Sequence, residues 1–293
     1  MTENVVGVRV RDFAAAARFY REAFGVELRA ELELEVESLG EAHARAVAAG
    51  AEVVTTPHDG AATYRDPDGN LVTLTELAGA ARVAGVDLAR GGLAVVVLEE
   101  NRIVEAFRCE SFAEALLVEA DVVAVDIPIG IPEAGPRDAD VAARRFVGAR
   151  ASSVFPAPIR AVLEAGTYAE ARSVATELTG KSVSAQAYAL RHRILEIDDL
   201  ARDDDRVIEV HSEVSFSELA RRPLLSKHRT DGLLERRRLL EEAGIELPES
   251  APRIAEPDLL DATIAAWSAR RYVSGEAAPL PEGHASRIGA IWR

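Results

Sequence analysis

The stretch Val122-Val123-Ala124-Val125-Asp126-Ile127-Pro128-Ile129-Gly130-Ile131-Pro132 decides how this chain is read. Val122 to Val125 are apolar without alternation, the pattern of a strand covered on both faces inside an α/β sheet. Asp126 closes the run. A carboxylate there is costly, because an acid withdrawn from water needs a partner. The crevice beyond the carboxyl ends of parallel strands is also where open α/β sheets bind ligands. Asp126 therefore reads as a metal ligand, with a structural cap as the alternative.

Upstream, Val83 to Leu88 reads as a strand with Asp87 near its end, Gly91-Gly92 permits a tight turn, and Leu93 to Leu98 and Ile103 to Phe107 are further strands. Ser111 caps a helix to Glu119, and Asp121 to Asp126 follows. Three hairpin-connected strands, a crossover helix and a buried strand follow the order of the ribonuclease H fold. In that topology Asp87 and Asp126 lie side by side. Downstream, Arg137 to Asp198 is mostly helical and Asp203-Asp204-Asp205 reads as a solvated turn. Val207 to Glu213 reads as the last strand. A helix from Asp258 to about Tyr272 follows Pro257, a favoured first-turn residue.

Acids thus come from separate segments. Period two puts Glu209, His211 and Glu213 on one face of the last strand, and Asp258 and Asp261, three apart, share a side of the closing helix. Carboxylates gathered together repel one another unless a cation neutralises them, and hard oxygen ligands favour Mg²⁺ or Mn²⁺. Structural alternatives stand beside this: Asp258 can charge a helix N-terminus, Glu213 can cap a helix, and His211 can be a core histidine.

The first part of the chain carries a different pattern. Val5 to Val10 alternates toward a strand, Asp12 can cap an Ala-rich helix through Phe24, and Gly25 stops it. A strand at Leu32 to Val36, a helix from about Glu41 to Ala49 and short strands near Glu52 to Val54, Ala61 to Arg65 and Leu71 to Glu76 follow, with Asp66-Pro67-Asp68-Gly69 a turn by its chemistry. Small residues at Ala78-Gly79-Ala80-Ala81 mark the seam, giving domains at 1–78 and 79–293. Phe19-Tyr20, Gly50-Ala51-Glu52-Val53 and Tyr64-Arg65-Asp66-Pro67-Asp68-Gly69-Asn70-Leu71 resemble the glyoxalase, bleomycin-resistance and dioxygenase fold, the vicinal-oxygen-chelate superfamily. The resemblance implies paired βαβββ modules around a divalent metal. This copy is truncated, has Val5 where the family would place a metal-binding His, and offers Glu31 and Glu76 at ligand-like positions. A packing or homodimerising unit is the reading this favours over a working metal site.

Residues 83–293 resemble a second family. Gly85-Val86-Asp87 with Gly91-Gly92, Asp126-Ile127-Pro128-Ile129-Gly130, Arg150-Ala151-Ser152-Ser153-Val154-Phe155, Glu209-Val210-His211-Ser212-Glu213 and Asp258-Leu259-Leu260-Asp261-Ala262 occur in the order seen in the domain of unknown function 429 family, whose members are described as predicted nucleases of the ribonuclease H fold. Ser212 stands where that pattern has Pro, and Leu93 replaces an aromatic. The resemblance implies two-metal phosphodiester hydrolysis, with Asp87 bridging both ions, Asp126 and Asp261 each holding one, Asp258 beside them, and Glu209 or Glu213 completing the shell. The fold class expected is α/β: a ribonuclease H-like mixed sheet flanked by helices, preceded by a small α+β domain.

The totals limit the alternatives. The chain has 293 residues, 48% of them hydrophobic, enough for real cores. Its single cysteine, Cys109, excludes a thiolate zinc site and suits a reducing compartment, so a cytoplasmic location is expected. Charges within the first 25 residues argue against a signal peptide, and no run of about 18 apolar residues offers a membrane span. Net charge is −15, which disfavours a nucleic-acid coat. Against that background Arg221 to Arg238 holds seven bases and two acids, an island of net +5 that could steer a nucleic acid substrate, or be a solvated helix face. Lys227 belongs to it. Arg150, Ser152, Ser153 and His211 are further candidates for phosphate or substrate contact. The readings in competition are a metal-dependent nuclease, a phosphotransferase of the actin and sugar-kinase kind (which needs two copies of the fold where one is found), a glyoxalase-like or dioxygenase-like metalloenzyme acting through the first domain, and a non-catalytic binding protein.

Overall fold

In a computed structural model of the chain, the described residues are 18–19, 22–23, 31–36, 39–58, 61–67, 69–76 and 81–293. The expected strand at Val5 to Val10, the cap at Asp12 and the stop at Gly25 lie outside them; of the helix expected between, residues 18–19 and 22–23 are described and are helical. The chain divides into two compact units, Met1–Gly79 and Ala80–Arg293.

In the smaller unit, β1 (Glu31–Val36), α1 (Leu39–Ala48), β2 (Glu52–His58), β3 (Ala61–Arg65) and β4 (Leu71–Glu76) form a sheet of order β1-β4-β3-β2. Leu39, Ala42, Ala62, Tyr64 and Leu74 make its core, and the Tyr64 hydroxyl lies 2.8 Å from His43 Nδ1. The ladder decides one expectation. β1 and β4 pair in parallel with Glu31 opposite Leu71 and Glu76 opposite Val36. At about 3.3 Å per residue the two glutamates sit roughly 16 Å apart along the strands, too far to share an ion.

The larger unit holds the five-stranded sheet β7-β6-β5-β8-β9, built from β5 (Arg82–Ala89), β6 (Gly92–Glu99), β7 (Arg102–Cys109), β8 (Val122–Val125) and β9 (Val207–Glu209). β5, β6 and β7 are antiparallel neighbours, whereas β8 pairs with β5, and β9 with β8, in parallel. The unbroken apolar run of β8 is buried throughout. Helices explain why. On one face α10 (Glu256–Val273) lies against β5, β6 and β8, and α9 (Thr230–Glu242) packs on α10 in the same core, which includes Val83, Val96 and Ala124. On the other, α7 (Arg191–Asp203) packs against Val86, Val95, Val123 and Val125.

Two elements are shorter than their patterns suggest. Ser111 does cap a helix, accepting Glu114 N–H at 3.2 Å, but α2 spans only Phe112–Ala115. The Arg206 guanidinium takes up the Leu116 and Val118 carbonyls at 2.9 and 3.0 Å, so the chain need not continue the helix to satisfy them. β9 ends at Glu209 because α8 (Ser212–Ala220) begins almost at once. His211 Nδ1 accepts Glu213 N–H at 3.2 Å as the N-cap, a role the sequence left open to Glu213 itself. The period-two face of Glu209, His211 and Glu213 therefore does not form.

Two contacts set the sheet against its surroundings. A Cβ on Gly85 would lie 2.0 Å from Ala262 O and 2.3 Å from Ala266 N, so glycine is what lets α10 lie directly on β5. Asp198, on α7, accepts Gly130 N–H at 2.7 Å and is paired with Arg160 and Arg202. It thereby ties down the loop after β8. Gly85→Ala should lose at least about 2 kcal/mol in urea unfolding, the upper range for overpacking a filled core; a loss under about 0.5 kcal/mol would contradict the packing described. Burial opposes ionisation of Asp198, but hydrogen bonds from Arg202, Gly130 and Ile131 hold its carboxyl below the ordinary value. A depressed folded-state pKa stabilises above the unfolded value and the gain vanishes as pH falls through it. Asp198→Asn should accordingly lose stability at pH 7 and show a weaker acid dependence than wild type; parallel pH profiles would be inconsistent with the pair.

Candidate active site

A cleft of about 690 Å³ opens at the carboxyl ends of β5, β8 and β9, and all the expected acids of the larger unit line it. Register accounts for the first two. Val86 pairs with Val125, and Asp126 N–H donates to Val86 O at 2.9 Å, so Asp87, still within β5, lies beside Asp126, the residue that follows β8. α10, seated on Gly85, adds Asp258 in its first turn and Asp261 one turn further in, the latter only 2% exposed.

These acids are not equally supplied with partners. Asp126 Oδ2 accepts the Ser212 N–H at 3.0 Å and the Ser212 hydroxyl. Ser212, where the resembled pattern has Pro, thus supplies a backbone donor that Pro lacks. Asp261 Oδ2 forms an ion pair with Lys227 Nζ. No donor among the described residues reaches the Asp87 carboxylate. Burial first, then the negative charges of Asp261 and Asp126, push the Asp87 carboxyl well above its usual range, against the pull of Lys227. Burial also raises Asp258 and Asp261, and Lys227 opposes both. Burial opposes the charged form of Lys227, but Asp261, Asp126 and Asp87 raise its ammonium above the ordinary value. One ammonium faces four carboxylates.

The two glutamates expected to complete a metal shell do something else. Glu209 is buried and held by Arg137, whose Nη1 and Nη2 donate at 2.6 Å each, and by Ile129 N–H at 2.7 Å. Burial pushes its carboxyl up to about 7, while Arg137 pulls the other way. Arg137 also holds Asp140, which accepts Ala157 N–H at 2.8 Å. Glu213 accepts from Arg150 Nε at 3.0 Å and from Arg236 Nη2 at 2.8 Å. Arginine pairing, not shared access to an ion, is thus what permits these two glutamates to be buried.

The basic island is also corrected by its partners. Arg222 pairs with Glu235, Arg229 with Asp231, Arg237 with Glu256 and Arg238 with Glu242, while Arg236 is fully buried. Acids outside the counted stretch and burial cancel most of the +5. Arg150, Ser152 and Ser153, on the 3₁₀ turn Gly148–Ser153 that follows α3 (Asp138–Val147), line the cleft together with His211. Sequence reading missed Arg137, Asp140 and Arg236 as site supports. Arginine is usually a surface residue, and their partners are remote in sequence, so no local signal marks them.

Hard carboxylate oxygens and an Asp87 without a donor suit a divalent cation. Among the described residues, however, no three His, Cys, Asp or Glu side chains are already arranged to hold one. Lys227 lies on the acids instead.

The larger unit is thus a mixed α/β domain with a carboxylate-lined cleft at its parallel strand ends. The family model for Protein of unknown function (DUF429) matches residues 85–285, and the chain belongs to that family. A glyoxalase-like domain model matches residues 26–75. No curated protein and no solved structure matches the chain.

The raised Asp87 carboxyl fixes a sign. A group whose pKa rises on folding favours the native state at low pH, and that gain is lost as pH climbs through the raised value. In chelator, Asp87→Asn should raise Tm at pH 7 and leave it nearly unchanged at pH 4. Equal Tm values for wild type and variant at pH 7 would show that the cluster carries no electrostatic tension. Arg137→Met, which strands Glu209 and Asp140, should cost about 3 to 5 kcal/mol in urea unfolding.

Proposed function

We propose that the larger unit is a divalent-metal-dependent phosphodiester hydrolase, a nuclease on a ribonuclease H-like fold. One observation carries the reading: Asp87, Asp126 and Asp261 come from three separate segments to one cleft, with a single lysine between them and, among the described residues, no donor for Asp87. Native proteins rarely keep such repulsion without use. Asp87, Asp126, Asp258 and Asp261 are the residues that would hold Mg²⁺ or Mn²⁺. Such an ion supplies an activated water and neutralises charge developing on the leaving oxygen.

The chain's own groups take the remaining roles. Ser212 fixes the Asp126 carboxylate. Because His211 Nδ1 accepts Glu213 N–H, the neutral ring carries its proton on Nε2, a donor for a phosphate oxygen. Arg150, with Nε on Glu213, has its Nη groups for the same purpose, beside the Ser152 and Ser153 hydroxyls. Glu209 and Glu213 position Arg137, Arg150 and the loop at Ile129. Nucleic acid is the proposed substrate class, bound in the cleft and not along the α8–α9 segment, most of whose charges are paired.

The Lys227–Asp261 ion pair favours a second reading, a phosphate-binding protein without catalysis. Exposed Leu32 and Leu34 on β1 and Val53 and Val54 on β2 support a second copy of the chain as partner of the smaller unit. A cytoplasmic setting fits the lone thiol Cys109, which is buried and pushed up to about 11, chiefly by burial. No helix among the described residues is long and apolar enough to cross a membrane.

Purified protein with labelled RNA, DNA and hybrid substrates and Mn²⁺ should show cleavage that EDTA stops. Asp87→Asn should reduce it by roughly 100-fold or more, the scale for removing one electrostatic contributor from an active site. Cleavage at full rate in the variant would mean a contaminating nuclease and would refute the assignment. Tight substrate binding without turnover would select the second reading.

A further inference from the structure

The loop between α8 and α9 is built to deliver an ammonium to the acids. Its backbone is seated on α9 so closely that a Cβ on Gly232 would lie 2.1 Å from Ser226 O. Arg236, fully buried, donates from Nη1 to Leu225 O at 2.8 Å. The Glu235 carboxylate accepts Leu225 N–H at 3.0 Å, and Ser226 O accepts Arg229 N–H at 3.0 Å. Lys227 follows this pinned backbone directly, and its Nζ takes one oxygen of Asp261. Apart from Lys181, every other base in the chain is arginine. An ammonium is a compact point charge, whereas a guanidinium is a planar fork. Of the two, the ammonium is the closer substitute for an ion.

Occupancy of the acids is uneven in a way that matters. Asp261 is already neutralised by a side chain on a fixed loop, and Asp126 has one oxygen committed to Ser212. Asp87 has no donor. An ion on Asp87 and the free oxygen of Asp126 would displace nothing, whereas an ion on Asp261 would have to evict Lys227. We propose that Lys227 occupies one of the two cation positions, so that the cleft takes a single divalent ion, on Asp87 and Asp126. The ammonium then supplies the second positive charge facing the phosphate. This rests on the metal-dependent reading above and replaces its two-ion form with an ion and a lysine.

Calorimetric titration of the full chain with Mn²⁺ tests it without reference to activity. Only sites abolished by Asp87→Asn are counted, which sets aside any ion held by the smaller unit. Wild type should bind one such ion. Lys227→Met should bind two, or one at least tenfold more tightly, because the competing charge is gone. If Lys227→Met does not fold, Lys227→Gln serves, since it also removes the charge. Two ions on wild type, or one ion bound by wild type and variant with equal affinity, would overturn the proposal. No counted ion on either protein would instead defeat the metal reading itself, and this inference with it.

Discussion

The direct seating of α10 on β5 is the constraint on which the larger unit depends. Helices normally lie on sheets with side chains between them. Here Gly85 removes the spacer, and the helix backbone at Ala262 and Ala266 comes down on the strand. Asp261 rides on that helix one residue from the point of contact, and Asp87 lies on the strand two residues beyond Gly85. Packing and site geometry are therefore one feature. Whatever loosens the helix also separates the carboxylates, and whatever drives the carboxylates apart strains the helix.

Around that contact the unit manages charge in two ways. Glu209, Glu213, Asp140 and Asp198 are buried with arginines and backbone N–H groups, each arranged to accept defined hydrogen bonds. Such pairs add little net stability but are costly to break, so they fix the loops that frame the cleft. Asp87, Asp126, Asp258 and Asp261 share one lysine instead. The contrast separates framework from chemistry: satisfied acids hold the walls, and under-compensated acids face the open space.

Lys227 connects the two systems. The Arg236 that holds Glu213 also holds the carbonyl of Leu225, two residues before the lysine. A buried arginine from an apparently basic surface segment thus sets where the only ammonium in the cleft sits. Among the described residues the smaller unit has no comparable device, and its two candidate ligands are separated by the register of a parallel ladder.

Much of this was legible in the sequence. The unbroken apolar run at Val122 to Val125, the hairpins before it and the Pro257 helix start are local patterns, and local patterns reflect burial and backbone preference directly. They were enough to place β8 beside β5, and with it Asp126 beside Asp87. The partners of the buried acids were not legible. Nothing near Glu209 announces Arg137, and nothing near Glu213 announces Arg236, because an ion pair between remote residues leaves no periodicity behind. The strand reading of His211 to Glu213 failed for a related reason: a backbone N–H captured by His211 and two donors captured by Asp126 turn the chain into a helix where alternation alone suggests a strand. Sequence settled which acids exist and, Glu213 apart, which elements carry them, since those follow from residue type and spacing. Only the tertiary structure decided which acids are neutralised and by whom, because that depends on which distant charges the packing brings within a few ångströms.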